Sequence, residues 1–120
     1  MKKTFAILGS LLISLTAGAS TGISPECASR IKSYKTRIQT AAMATRYYQG
    51  LCKIDGIQPS ECPTTDKDVA NADAIALAVR TISYSNKPLT EPQSTILTQI
   101  CQLRNFDSDS VGLIIQSMSQ

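Results

Sequence analysis

A long amphipathic repeat dominates the first half of the chain. Apolar and small residues follow one another from Cys27 to Cys52 at alternating steps of four and three. This spacing keeps them on one narrow stripe of a helix, as at the seam of a helical bundle. Ser24–Pro25 supplies residues that favour the N-cap and the first helical position, and Asp55–Gly56 is typical of a turn. We therefore predict one continuous first helix that ends near Lys53.

Three shorter helices are predicted to follow it. An alanine-rich amphipathic stretch is interrupted at Asn86–Pro88, and Thr90 with Gln93 matches the capping box that begins a helix. The predicted caps of the three helices are, in chain order, Thr64 or Thr65, Thr90, and Asp107 or Ser108. No segment shows the sustained period-two alternation of a half-buried strand. The predicted fold class is therefore all-α, a small bundle of about four helices.

The N-terminal residues have the pattern of a secretory signal peptide. Met1–Lys3 is basic, Phe5–Leu15 is uncharged and mostly apolar, and Thr16–Ala19 offers small residues to a signal peptidase. The apolar run has eleven residues, whereas a membrane-spanning helix needs about twenty. We therefore expect cleavage after Ala19 and no stable insertion of the cleaved chain into a membrane.

Removal of this peptide changes the charge of the chain. We take residues 1–19 as the signal peptide and residues 20–120 as a single helical domain, located in the periplasm or outside the cell. Lys2 and Lys3 leave with the peptide, so the twelve basic residues become ten, against nine acidic ones. Such a nearly neutral domain lacks the basic excess that attracts nucleic acid, and we expect no nucleic-acid partner.

Four cysteines remain in the predicted domain, and all four are expected to form disulfides. An even number of cysteines in a small exported chain indicates a disulfide framework, so the bundle is predicted to be stapled by two disulfides. The spacing of these residues matches no zinc-binding pattern, and the chain has no histidine. The predicted disulfide residues are Cys27, Cys52, Cys62 and Cys101.

Helix geometry limits how these cysteines pair. In a continuous helix, Cys27 and Cys52 lie about 37 Å apart, far beyond the Cα separation of about 7 Å that a disulfide allows. Only a short loop separates Cys62 from Cys52, so Cys62 is also expected to lie far from Cys27. By elimination we prefer Cys52–Cys62 with Cys27–Cys101. A break in the first helix near Thr40–Thr45 leaves Cys52–Cys101 open as an alternative.

Groups able to perform catalysis are scarce. Without histidine the chain lacks the commonest general base and metal ligand. Asp66, Asp68 and Asp73 are the candidates for a metal site or an acid–base pair. Their position at the start of the second predicted helix favours a different role, that of solvated charges that complement the helix dipole. We therefore expect no enzyme activity, no metal and no cofactor.

Two sets of residues on the first predicted helix are candidates for binding a partner. Lys32, Lys35 and Arg46 project away from the apolar stripe, where they either form a solvated face or steer an acidic partner. Met43 and Tyr47 lie opposite the stripe, one turn apart. Either the helix is central and buries both faces, or this second face docks another protein, because tyrosine and methionine are enriched in interfaces.

The central part of the chain resembles a family of bacterial immunity proteins. Tyr48–Gly50 (Tyr-Gln-Gly) is followed by Cys62–Pro63, an alanine-rich helix, a turn with proline and a helix that ends at Cys101. This order is similar to that of the Rap/Tai immunity proteins over roughly residues 44–102. The resemblance implies a small, exported, helical protein that neutralises a peptidoglycan-cleaving effector of type VI secretion in the periplasm.

The same resemblance implies a different disulfide. In that family a second cysteine closes a helical hairpin, which implies pairing of Cys62 with Cys101. The chain departs from the family pattern because it carries Cys27 and Cys52 and lacks a cysteine just before the tyrosine motif.

We therefore expect an exported, non-catalytic module that binds another protein, in the form of an immunity protein that inhibits a periplasmic effector enzyme. The alternative is an assembly or structural factor of the cell envelope. Cys52 at the end of a long helix, with Cys101 after it, is similar to the cysteine arrangement of the helical pilotins of type II secretion. Those are often lipoproteins, and no cysteine for a lipid anchor follows the predicted cleavage site here.

Overall fold

The computed structural model of the protein describes residues 22–119, and within them the fold is all-α. The predicted signal peptide, residues 1–19, lies outside this range. The described elements are the helices α1 (Pro25–Ser33), α2 (Lys35–Ile54), α3 (Asp66–Tyr84), α4 (Glu91–Cys101) and α5 (Ser108–Met118), with a short 3-10 turn at Pro59–Glu61. The predicted fold class is therefore confirmed, with five α-helices in this range instead of about four.

The first predicted helix is two helices in the structure. α1 ends at Ser33 and α2 begins at Lys35, and between them Tyr34 has φ −115° and ψ 23°. Neither glycine nor proline stands here. Instead, the ring of Tyr34 packs against that of Phe106, with 5.5 Å between ring centroids, and we attribute the break to this tertiary contact. The prediction of one continuous helix was wrong, and the break lies outside the stretch Thr40–Thr45.

The helix starts agree with the predicted capping chemistry. Thr65 and Asp68 form a reciprocal capping box at α3, and Thr90 and Gln93 form another at α4. Each box satisfies backbone N–H groups that have no partner within the helix. The side chains that cap the four capped helices are Ser24, Thr65, Thr90 and Asp107.

The core lies where α2 and α3 pack together and where α1, α4 and α5 close over them. Ala72 and Ala78 are buried on α3, and their small side chains allow the neighbouring helices to approach closely. Each fully buried Ile or Leu contributes about 1.5–3 kcal/mol through removal of apolar surface from water. The largest fully buried side chains are Ile31, Ile38, Ile75, Val79, Leu97, Ile100, Val111 and Ile115.

α2 contributes one buried face to this core. We call this face the inner stripe, and it consists of Ile38, Ala41, Ala42, Thr45 and Cys52. These residues belong to the repeat at steps of four and three that predicted the helix, or lie beside it. The sequence pattern therefore identified the side of α2 that packs against the rest of the domain.

Two disulfides close the described fold. Cys27 at the start of α1 pairs with Cys101 at the end of α4, and Cys52 pairs with Cys62 across the loop after α2. The Cα separations are 5.7 and 5.9 Å. The pairing derived from helix geometry is confirmed. The Cys62–Cys101 pairing implied by the family resemblance is wrong, as is the alternative Cys52–Cys101.

Between residues 22 and 119, none of the helices combines the length and the apolar character that a membrane span requires.

Candidate functional site

The outward side of α2 carries a second repeat, opposite the inner stripe. We call it the outer seam, and it consists of Thr36, Thr40, Met43, Tyr47, Gly50 and Ile54. These positions also alternate in steps of four and three, and none of them is charged. Five of the six residues are exposed and Gly50 is half-buried. The exposed fractions reach 38% for Met43, 63% for Tyr47 and 79% for Ile54.

α2 therefore buries one face and leaves the other open to solvent. Of the two predicted situations for Met43 and Tyr47, a central helix that buries both faces does not occur. The two side chains lie one turn apart on the same exposed surface, as their spacing indicated. Large apolar side chains grouped in this way on a protein surface are typical of a binding site.

Beside the outer seam, exposed aromatic and apolar side chains extend toward α5. The rings of Tyr47 and Tyr48 are in contact, with 5.8 Å between their centroids. Tyr48 also lines a groove of about 370 Å3 between α2 and α5, together with Gly112 and Leu113. Leu113 is 66% exposed, and a side-chain carbon added at Gly112 would meet nothing within 4 Å. The groove is thus open at Gly112, and its lining combines Tyr48 and Leu113 with polar residues that include Asp68 and Asp109.

The predicted basic residues do not share this surface. Lys35 places its ammonium 5.7 Å from the centroid of the Tyr84 ring, and Arg46 forms an ion pair with Asp73 at 2.7 Å. Both contacts are to α3, so Lys35 and Arg46 lie on the flank of α2 that faces that helix. Lys32 is exposed on α1, beyond the bend at Tyr34. Of the five predicted partner-binding residues, the structure brings Met43 and Tyr47 together on the outer seam. It places Lys35 and Arg46 on the flank of α2, and Lys32 lies on a different helix.

The three aspartates considered for catalysis have separate partners. Asp66 accepts a hydrogen bond from Gln49 at 2.6 Å, and Asp73 pairs with Arg46. Asp68 completes the capping box of α3 and also accepts a hydrogen bond from the hydroxyl of Ser119 at 3.0 Å. In the part of the chain that the structure describes, no three His, Cys, Asp or Glu residues are grouped so that they could hold a metal ion.

A second cavity, of about 490 Å3, lies beside the Cys52–Cys62 disulfide. Its lining includes Ile57 and Pro59 from the loop, and Asp66 from the start of α3. Sequence analysis treated this loop only as a connection. The disulfide and the proline were visible signals that the loop has a fixed shape, since both restrict its conformations.

A third cavity lies where the bend between α1 and α2 meets the loop before α5. Its volume is about 170 Å3, and arginine side chains dominate its lining. Arg30 and Arg37 lie seven residues apart in the sequence, but nothing in the helical pattern indicated that Arg104 would join them. That convergence depends on how α4 and its following loop dock, which a local repeat does not encode.

One titratable group near this cavity has a shifted pKa. Asp107 caps α5, and its carboxylate accepts a hydrogen bond of 2.8 Å from the backbone N–H of Ser110. This hydrogen bond, with a smaller contribution from the positive charge of Arg37, lowers the pKa of Asp107 below its usual value. The carboxylate is thus held in its charged form at the helix N-terminus.

These features define a small disulfide-linked helical protein with one uncharged exposed helix face. No protein-family model, curated protein or solved structure matches the chain. The resemblance to the Rap/Tai immunity proteins therefore rests on its motif residues, and the disulfide pairing departs from the one that it implies.

Proposed function

We propose that this chain is an exported, non-catalytic module that acts by binding another protein through the outer seam of α2. The observation that carries the proposal is the exposure of Met43, Tyr47 and Ile54 along one uncharged face of the helix. A soluble domain rarely leaves a continuous row of large apolar side chains in water unless another molecule covers it. Tyrosine and methionine are also enriched at such contacts.

The spacing of the outer seam suggests what covers it. Steps of four and three are the spacing at which one helix presents side chains to another. α2 contains no Asp or Glu, whereas Lys35, Arg46 and Lys53 stand on the flank that faces α3. The partner surface that fits is therefore apolar with acidic residues at its border, since complementary charges favour and orient association.

The two disulfides and the signal-type N-terminal pattern support a site of action outside the cytoplasm. Disulfides form and persist in oxidising compartments such as the bacterial periplasm. The resemblance to the Rap/Tai proteins suggests the specific form of this function, which is neutralisation of a peptidoglycan-cleaving effector enzyme. A helical scaffold would do this by covering the surface through which the effector acts.

The proposal can be tested against purified peptidoglycan-cleaving effector enzymes of type VI secretion, beginning with any that proves to be encoded beside this chain. The mature protein and its variants would be mixed with the purified hydrolase, and binding and hydrolase activity would be measured. Met43→Glu with Tyr47→Glu should abolish binding, because both changes place charge in the apolar contact. Leu77→Glu is the matched control, since Leu77 is also exposed, at 51%, but lies on α3.

Circular dichroism should show that all three proteins remain folded. Binding that survives the paired outer-seam change, or that is lost equally in the Leu77→Glu variant, would contradict the proposed surface. If the wild-type chain binds no hydrolase and instead alters secretin assembly, the pilotin-type alternative would replace the inhibitory form of the proposal.

A further inference from the structure

The small cavity beside the bend at Tyr34 has an unusual lining. We call it the arginine pocket, and among the described residues it is lined by Arg30, Tyr34, Arg37, Arg104, Asn105 and Phe106. Three guanidinium groups therefore border a volume of about 170 Å3, and none of these lining residues carries a carboxylate. A cavity of this size is smaller than the typical pocket for a drug-sized ligand, so it suits a small group.

Arg30 is a fixed part of this pocket. It donates to the carbonyl oxygen of Cys101 at 2.6 Å and to that of Arg104 at 3.0 Å, and it lies 4.4 Å from the centroid of the Phe106 ring. These contacts use two of its five N–H donors. Because Phe106 is buried and Cys101 is held by its disulfide, the orientation of Arg30 is set by the fold.

The other two arginines have no such structural role. The guanidinium groups of Arg37 and Arg104 are exposed, and neither forms a hydrogen bond or close ion pair with another residue of the described chain. Asp107 interacts with Arg37 through its charge, but its carboxylate is engaged by the N–H of Ser110. Arg30 is thus held by the carbonyl groups at and after the end of α4, whereas the guanidinium groups of Arg37 and Arg104 have no such hydrogen bonds within the described residues.

The remaining polar groups of the pocket are also available as donors. The side-chain oxygen of Asn105 accepts a hydrogen bond from the hydroxyl of Ser110 at 3.2 Å, which leaves its NH2 group free to donate. Tyr34, whose side chain carries a hydroxyl, lines the same cavity. The lining of the pocket therefore includes three cationic residues and two residues with neutral donor groups.

We infer that the arginine pocket is a binding site for a phosphate-type oxyanion. Three like charges around one cavity repel each other, and a bound anion with several acceptor oxygens relieves that repulsion. The planar guanidinium group matches phosphate geometry through paired hydrogen bonds, which makes arginine the preferred residue for such sites. The ligand is either free phosphate or the phosphate group of a larger molecule such as a lipid headgroup. This inference does not depend on the protein-binding role of the outer seam.

The site can be tested by titrating the mature protein with inorganic phosphate at low ionic strength. The chemical shifts of the backbone amides in NMR spectra report the binding. Phosphate should produce saturable shifts around Arg30, Arg37 and Asn105, and acetate should bind more weakly. Arg37→Gln and Arg104→Gln should each weaken phosphate binding about tenfold, since each removes charged donors from the anion. Arg80→Gln is the matched control, because Arg80 is exposed on α3 and outside the pocket.

Vesicles distinguish the two sources of the phosphate group. The protein can be sedimented with vesicles of phosphatidylglycerol or of phosphatidylcholine. The site is assigned to a lipid headgroup if the wild-type protein sediments only with phosphatidylglycerol and the Arg37→Gln/Arg104→Gln double variant sediments with neither. Saturable phosphate binding without vesicle binding would assign it to a free phosphate or a small phosphate ester. The inference is overturned if phosphate shifts do not saturate, if acetate binds as tightly as phosphate, or if Arg80→Gln weakens binding as much as the pocket variants.

Discussion

The inner stripe and the outer seam of α2 have the same helical spacing and opposite surroundings. Ile38 in the inner stripe is completely buried, whereas Tyr47 in the outer seam is 63% exposed. The spacing of uncharged residues shows that a helix face is suited to packing. It does not show whether the covering surface comes from the same chain or from another molecule, and in α2 the described chain covers one face only.

Disulfides fix both ends of the region that contains α1 and α2. Removing each disulfide tests how strongly this region is held against the rest of the domain, and we expect the largest effects here. Replacing Cys27 and Cys101 by alanine should lower the free energy of unfolding by about 4.5 kcal/mol, because this disulfide spans 74 residues. Replacing Cys52 and Cys62, which are ten residues apart, should cost about 2.7 kcal/mol. Urea unfolding of both variants would measure the difference, and a larger loss from the short loop would contradict the assigned pairing.

A matched pair of substitutions compares the two faces of α2 directly. Ile38→Ala should lower the free energy of unfolding by about 3 kcal/mol, because it leaves a cavity in the core. Met43→Ala, five residues further along the same helix, should lower it by only about 1 kcal/mol, because 38% of this residue is already exposed to water. The unfolding midpoints in urea report both values. Equal losses would mean that the outer seam is packed within the free protein.

The smallest expected effect concerns the cap of α5, next to the arginine pocket. The lowered pKa of Asp107 means that its charged form stabilises the folded state. This contribution is present above the unfolded pKa of about 3.9 and is lost as the pH falls through the lower folded pKa. Asp107→Asn keeps a capping side chain that does not titrate. Unfolding midpoints measured in urea below about pH 4 should therefore fall less steeply in this variant than in the wild type. Parallel curves would contradict the assignment.

What could be predicted from the sequence was mainly local. The cap at Thr90 depends on Gln93, three positions further on, so the sequence pattern was sufficient to find it. At α3 the pattern left Thr64 and Thr65 open, and the structure selects Thr65. The disulfide pairing was derived from the length of one continuous helix, and it is confirmed although that helix is interrupted at Tyr34. The break at Tyr34 could not be predicted, because it accompanies a contact with Phe106, far away in the chain.

The candidate sites also differ in how far the local sequence could predict them. Helical spacing placed Met43 and Tyr47 on one face, but only the packing of the other helices decides whether that face is covered. The arginine pocket was not predicted, since Arg104 and Phe106 reach Arg30 through the docking of α4 and its loop. Sequence periodicity describes a single helix, whereas a pocket depends on how several elements meet.

The central claim, that the outer seam is covered by a partner protein, is tested most directly by photo-crosslinking in living cells. A benzophenone amino acid would replace Tyr47 in one variant and Leu77 in another, both exposed in the free protein. The claim predicts one discrete crosslinked species at position 47, lost when Met43→Glu is added, and no such species at position 77. No discrete product at position 47, or the same products at both positions, would contradict it.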